Sequence, residues 1–207
     1  MREEIGADTC FLVPGPVRMS SKTLHAMSTP TITARGKEFR EVMARLNCGL
    51  RVAFNLSSSE PNSGKQSWLG DDGYRVIVVS GSGTAAMEMV MANRFRQSDK
   101  VLIPTNGKFG ERVAAMGDRF ADCTHLKKAW GLSFDFGEID KILEEGEFEA
   151  LAFCHNETST GITQNAEELS KLAKKHNVSL ILDGITSVGG IPVYPSDWGA
   201  DAIVVGA

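Results

Sequence analysis

Between residues 75 and 206, short apolar runs alternate with helical patterns, and this rhythm limits the chain to few folds. Strand-like runs fall at 75–80, 100–105, 124–128, 150–155, 179–183 and 202–206. Helical periodicity fills several of the gaps, at 84–96, 110–120, 136–145 and 166–176. The runs are continuously apolar rather than alternating, which suits strands covered on both faces. Strands that alternate with helices build a doubly wound, mostly parallel α/β sheet in three layers. Ligands of such a sheet bind beyond the carboxyl ends of its strands, and the polar motifs of this chain lie there.

Composition narrows the function class. With 207 residues the chain can bury a core for one domain or a little more. A net charge of -4 argues against nucleic acid and anionic membrane as partners. No apolar run approaches the ~20 residues of a membrane span, and the acidic start Met1-Arg2-Glu3-Glu4 does not resemble a signal peptide. Cys10, Cys48, Cys123 and Cys154 form no CxxC pair and are read as reduced thiols, with the cytoplasm as default compartment. Cys123 and His125 lack a second ligand pair, so no metal site is expected.

Before the regular region, residues 1–20 read as an irregular lead-in, with Pro14 and Pro16 bracketing Gly15. Residues 20–30 suggest a short helix stopped by Pro30. Residues 36–54 carry apolar side chains at amphipathic-helix spacing. The polar stretch 57–73 is a long loop, read as mobile in preference to functional.

Four motifs could carry chemistry. Ser80-Gly81-Ser82-Gly83-Thr84 joins a strand to a helix, and a helix N-terminus offers unpaired N–H groups to a phosphate. A dinucleotide fingerprint is a rival, since Gly81, Gly83 and Ala86 fit GxGxxA, but it expects an acid at the end of the next strand, where Pro104-Thr105-Asn106 stands. A tight turn without ligand is the simplest alternative. In Asn106-Gly107-Lys108-Phe109-Gly110, the aromatic could stack on a flat ring or merely plug the sheet edge. Asp183 ends an apolar run; a carboxylate there needs a partner, either a cationic ring nitrogen or a local cap or salt bridge. His155-Asn156-Glu157-Thr158-Ser159-Thr160-Gly161 is dense in hydrogen-bonding groups and is otherwise a polar turn.

Taken in order, these motifs and the final run 202–207 resemble the class V aminotransferases of the alanine–glyoxylate and serine–pyruvate type, enzymes of fold type I that carry pyridoxal 5'-phosphate. The 2-aminoethylphosphonate–pyruvate transaminases are close relatives and an alternative. The resemblance implies that Ser82, Gly83 and Thr84 hold the cofactor phosphate, and that Phe109 and Ile185 cover the two ring faces. It further implies that Thr158 bonds near the phenolic oxygen, that Asp183 is the catalytic partner of the ring nitrogen, and that Gly15 lies by the substrate. Implied partners are a small amino acid, a 2-oxo acid such as glyoxylate or pyruvate, and a second copy in a homodimer.

In that family the lysine that binds the cofactor lies about two residues beyond a strand like 202–207. The substrate-carboxylate arginine and a smaller C-terminal domain come later still. On this resemblance, residues 21–207 are an incomplete large domain, its sheet short of a strand and open at an apolar edge. The chain alone is expected to be inactive. It is read as the N-terminal part of an ordinary enzyme, a subunit whose lysine comes from a second chain, or a noncatalytic module that binds the cofactor.

Overall fold

The continuous apolar runs pair with one another as a parallel sheet. In the computed structural model, which describes residues 13–15, 17–57 and 72–206, the chain divides into two units, Met1–Val42 and Met43–Ala207. The first unit holds helix α1 (Ser21–Met27), capped by the Ser20 hydroxyl, which accepts from the Thr23 N–H at 3.1 Å. Helix α2 (Lys37–Ala53) runs across the division.

The second unit continues with α3 (Gly83–Arg94), β1 (Lys100–Thr105), α4 (Lys108–Gly117), β2 (Asp122–Lys127), α5 (Phe136–Glu145) and β3 (Ala150–Cys154). A two-stranded antiparallel ribbon of β4 (Asn156–Glu157) and β5 (Ile162–Thr163) follows. Next come α6 (Ala166–Lys175), β6 (Ser179–Asp183), α7 (Pro195–Trp198) and β7 (Ala202–Val204). The main sheet has the order β2-β1-β3-β6-β7, every pair parallel. It is a doubly wound α/β sheet, as the rhythm of the sequence implies.

Alternation along the strands sorts the core into two layers. Leu102, Leu151, Phe153, Leu180 and Leu182 face α5, α6 and α7 through Ile139, Leu169 and Trp198. Val101, Ile103, Ala150, Ala152 and Ile181 face α3 and α4 through Met87, Met91 and Val113. From β1 the chain winds outward to β2; from β3 it winds the other way to β6 and β7. The topological switch point therefore lies between β1 and β3, where a doubly wound sheet opens a crevice.

One expected strand is absent. Residues 75–80 show a single bridge at Arg75 and no ladder, and Ile77, Val78 and Val79 are 71%, 47% and 44% exposed. An apolar run becomes a strand only when a neighbour takes its backbone groups, and no described strand lies beyond β7 to do so. Several other segments begin or end elsewhere than expected, β2 among them, which starts at Asp122 rather than 124. The second helix of the regular region starts at Lys108 rather than 110, so Phe109 sits in its first turn, and the final strand ends at Val204.

Residues 58–71 of the polar loop lie outside the described residues. Its two ends are held by Arg51, which is fully buried. Arg51 donates to the carbonyls of Ser57 (2.6 Å) and Tyr74 (3.0 Å) and to Asp72 Oδ2 (2.5 Å). The loop is thus closed at its base by a buried cation, which its own composition does not reveal.

Candidate functional site

The carboxyl ends of β1, β3 and β6 and the N-terminus of α3 converge, bringing together most of the residues the motifs single out. At α3 the Ser82 hydroxyl accepts from the Ala85 N–H at 3.2 Å and caps the helix. The N–H groups of Gly83 and Thr84 donate to nothing among the described residues, so the helix start presents donors and partial positive charge. Space here is tight: a Cβ on Gly83 would stand 2.8 Å from Ile185 Cγ1 and 3.9 Å from Gly206 Cα. The Ile185 side chain packs directly on Gly83 and would have to shift for a larger residue.

Asp183 ends β6 at 7% exposure. Its Oδ1 accepts the Ile185 N–H at 3.0 Å, and its Oδ2 has no hydrogen bond among the described residues. Burial raises its pKa above the ordinary carboxylate value; the Ile185 N–H opposes this, Glu157 adds to it, and Arg112 opposes it. Its second oxygen is not among the sealed, unsatisfied polar atoms of the described residues, so a cation could reach it.

Phe109, half-buried, lies under the Arg112 guanidinium at 4.8 Å from its ring centroid, and Arg112 Nη1 donates to Thr84 Oγ1 at 3.2 Å. This cation ties the aromatic to the start of α3. Thr158 Oγ1 lies 3.1 Å from Thr186 Oγ1, and Thr186 bonds both to the Asn156 carbonyl (2.8 Å) and to Asn156 Nδ2 (2.9 Å). Ser82, Gly83 and Thr84 at the start of α3 are thus linked to Phe109 through Arg112 and to Asp183 through Ile185, while Thr158 joins Thr186 in the loop after β6. Gly15 belongs to the first unit, where it is exposed and a Cβ would meet nothing within 4 Å; Pro16 lies outside the described residues.

Three participants had no role assigned from the sequence. Arg112 and Thr186 look like ordinary helix and loop residues. Glu157, fully buried, accepts from the N–H groups of Phe109 (3.0 Å), Gly110 (2.8 Å) and Ser159 (3.0 Å) and from the Ser159 hydroxyl (2.7 Å). Burial pushes its carboxyl up, yet these bonds bring it below the ordinary value. Its legible signal was its place in the polar motif, three residues past the end of β3. His155 packs edge-to-face on Trp198, with ring centroids 5.3 Å apart, and burial lowers it to about 4. It therefore stands as a neutral core imidazole. Cys123 is pushed up to about 11, first by burial, and His125 pairs with Asp118 at 2.8 Å.

The crevice fits pyridoxal phosphate on three observations. Unpaired N–H donors at α3 suit a phosphate, the open Asp183 oxygen suits a protonated ring nitrogen, and Phe109 and Ile185 supply apolar side chains near the start of α3 and the end of β6.

The family model of the class V aminotransferases matches residues 61–207. Among solved structures, the alanine–glyoxylate aminotransferase of Nostoc sp. is similar, at 33% identity and a TM-score of 0.79, over 92% of this chain and 47% of that one. Among curated proteins, the alanine–glyoxylate aminotransferase of Mus musculus is 29% identical over 92% of this chain and 43% of its own length. The small subunit of soluble hydrogenase from Synechococcus sp. is 27% identical over 95% of this chain and 48% of its own length. The chain therefore spans about half the length of the curated relatives it matches. The aminotransferases among them depend on pyridoxal phosphate. With its doubly wound sheet, its crevice at the switch point and a family match over most of its length, this chain belongs to the class V aminotransferases.

Proposed function

We propose that this chain forms the cofactor-holding part of an aminotransferase that moves an amino group from a small amino acid, of the alanine or serine class, to a 2-oxo acid such as glyoxylate or pyruvate. The observation that carries the reading is Asp183: buried, raised in pKa and one oxygen short of a partner, at the strand end that faces the start of α3. Such a group gains from a protonated ring nitrogen, and a phosphate on the same ring suits the open N–H groups at the start of α3.

When bound, pyridoxal phosphate supplies an electron sink for the carbon from which the amino acid loses its proton. The chain's own part is binding and electrostatics. Gly83, Thr84 and the hydroxyls of Ser82 and Thr84 hold the phosphate at the positive end of α3. Phe109 and Ile185 confine the ring and exclude water from its faces. Thr158 donates toward the phenolic oxygen. Asp183 keeps a proton on the ring nitrogen, because removing it would leave a buried, unpaired carboxylate. Support for a homodimer and a cytoplasmic location comes from the family and the composition alone.

Titration of the intact chain with pyridoxal phosphate, followed by intrinsic fluorescence, tests the reading. Asp183→Ala should bind more weakly by at least tenfold. Unchanged affinity would remove the assignment of the crevice.

A further inference from the structure

Helix α4 begins without a cap of its own. Its N-cap position is Gly107, which has no side chain, yet its first three N–H groups are all satisfied from across the switch point. Lys108 N–H donates to Ser159 Oγ at 2.9 Å, Phe109 N–H to Glu157 Oε2 at 3.0 Å and Oε1 at 3.3 Å, and Gly110 N–H to Glu157 Oε2 at 2.8 Å. The same carboxylate takes the Ser159 N–H and hydroxyl on Oε1. Glu157 lies 48 residues from Phe109 in sequence and is fully buried.

Gly107 makes room for this carboxylate, and Gly110 for the backbone of β1 at Thr105. A Cβ at Gly107 would stand 2.5 Å from Glu157 Cδ and 2.7 Å from Ser159 Oγ. A Cβ at Gly110 would stand 3.3 Å from Thr105 Cα and 3.7 Å from Glu157 Oε2. The glycine at 107 is therefore the footprint of a glutamate on another loop.

We infer that Glu157 is a positioning residue for the cofactor ring, fixing Phe109 on the β1 side of the crevice while its neighbour Thr158 stands on the β3 side. Its bonds land on the N–H of Phe109 itself and of the next residue, so they set the backbone on both sides of the aromatic. Because Glu157 and Thr158 are adjacent, one carboxylate fixes the spacing between the ring-face residue and the residue at the phenolic oxygen. The inference rests on the cofactor reading of the crevice given above.

The test is a double-mutant cycle on pyridoxal phosphate affinity in the intact chain, with the visible circular dichroism of the bound cofactor as a second readout. Glu157→Gln keeps the shape but leaves one acceptor oxygen for two oxygen positions, so either the Phe109 and Gly110 N–H groups or the Ser159 N–H loses its partner and the clamp between the two loops is loosened without a void. It should weaken binding about fivefold and alter the dichroism. Phe109→Ala should weaken binding by up to about tenfold, the worth of a ring stack. In the double variant, Glu157→Gln should add less than about twofold, because its effect passes through the missing ring. Losses that multiply in the double variant would overturn the inference. So would Glu157→Gln lowering the melting temperature with affinity and dichroism unchanged, since that is a cap and nothing more. If Glu157→Gln does not fold, Ser159→Ala removes only the hydroxyl bonds and should shift affinity about twofold with the same change in dichroism; no shift overturns the inference. Asp183→Ala separates the two readings. If it binds as the parent does, the crevice assignment and this inference both fall. If it weakens binding while Glu157→Gln does not, the role of Glu157 alone falls.

Discussion

Replacing Asp183 by Asn should move stability and cofactor binding in opposite directions. The side chain keeps its shape, and its oxygen can still accept the Ile185 N–H now at 3.0 Å. What disappears is a buried charge whose pKa lies above the ordinary 3.8. An acid with a raised folded pKa holds its proton in the fold to higher pH than in the unfolded chain. The fold therefore loses stability as pH rises from the ordinary value through the raised one, and stays less stable above it. The Asn variant carries no such charge. Its melting temperature without cofactor, relative to the parent, should be similar near pH 4 and rise above the parent's toward pH 8. Binding should suffer, because a hydrogen bond to a charged group contributes about 1.5–3 kcal/mol. At about 1.4 kcal/mol per decade, affinity for pyridoxal phosphate should fall about 10- to 100-fold. Calorimetric melting from pH 4 to 8 and a binding titration at pH 7.5 measure both arms. A variant that binds as tightly as the parent, or is no more stable without cofactor at neutral pH, would refute the reasoning.

Three further outcomes follow from packing and charge. Arg51→Met should destabilise the chain by about 2–4 kcal/mol in urea, because it strips a buried cation from two carbonyls and Asp72. Burial raises the Asp72 carboxyl, but bonds from Arg51, the Tyr74 N–H and Ser57 bring it below 3.8 overall, so this stability is present above that value and lost as pH falls through the lowered one. The Met variant should show a shallower acid dependence, and an equally steep one would count against the pairing. His155, lowered from 6.5 to about 4 by burial, should titrate in NMR near pH 4, and stability should decline as pH drops from 6.5 toward 4; a midpoint near 6.5 would contradict its burial. Gly83→Ala should lower stability by about 1–3 kcal/mol through overpacking against Ile185, read by thermal melting, and an unchanged melting temperature would show that Ile185 yields freely.

Much of the architecture was legible because parallel strands advertise themselves. β1, β3 and β6 are buried on both faces, so a run such as Leu180-Ile181-Leu182 stands out by hydrophobicity alone. The start of α3 was legible for a related reason: a glycine-rich turn that opens a helix leaves N–H groups unpaired wherever it occurs. The same signal misread residues 75–80. Ile77-Val78-Val79 is as apolar as a core strand, but hydrophobicity records what a segment would bury and not whether a neighbour is present to pair with it.

By itself the sequence determined the fold class, the strand ends at which polar groups collect, and Asp183 as an acid in an apolar place. Those are local properties, set by side-chain transfer energies and by backbone groups a few residues apart. Tertiary structure alone decided that Glu157 caps α4, that Arg112 joins Phe109 to Thr84, and that Arg51 closes the base of a long loop. Each of these is a contact between segments brought together only when the sheet is assembled. An isolated Glu or Arg looks solvated in sequence, and its burial becomes favourable only once the fold places opposite charge or unpaired N–H and C=O groups around it.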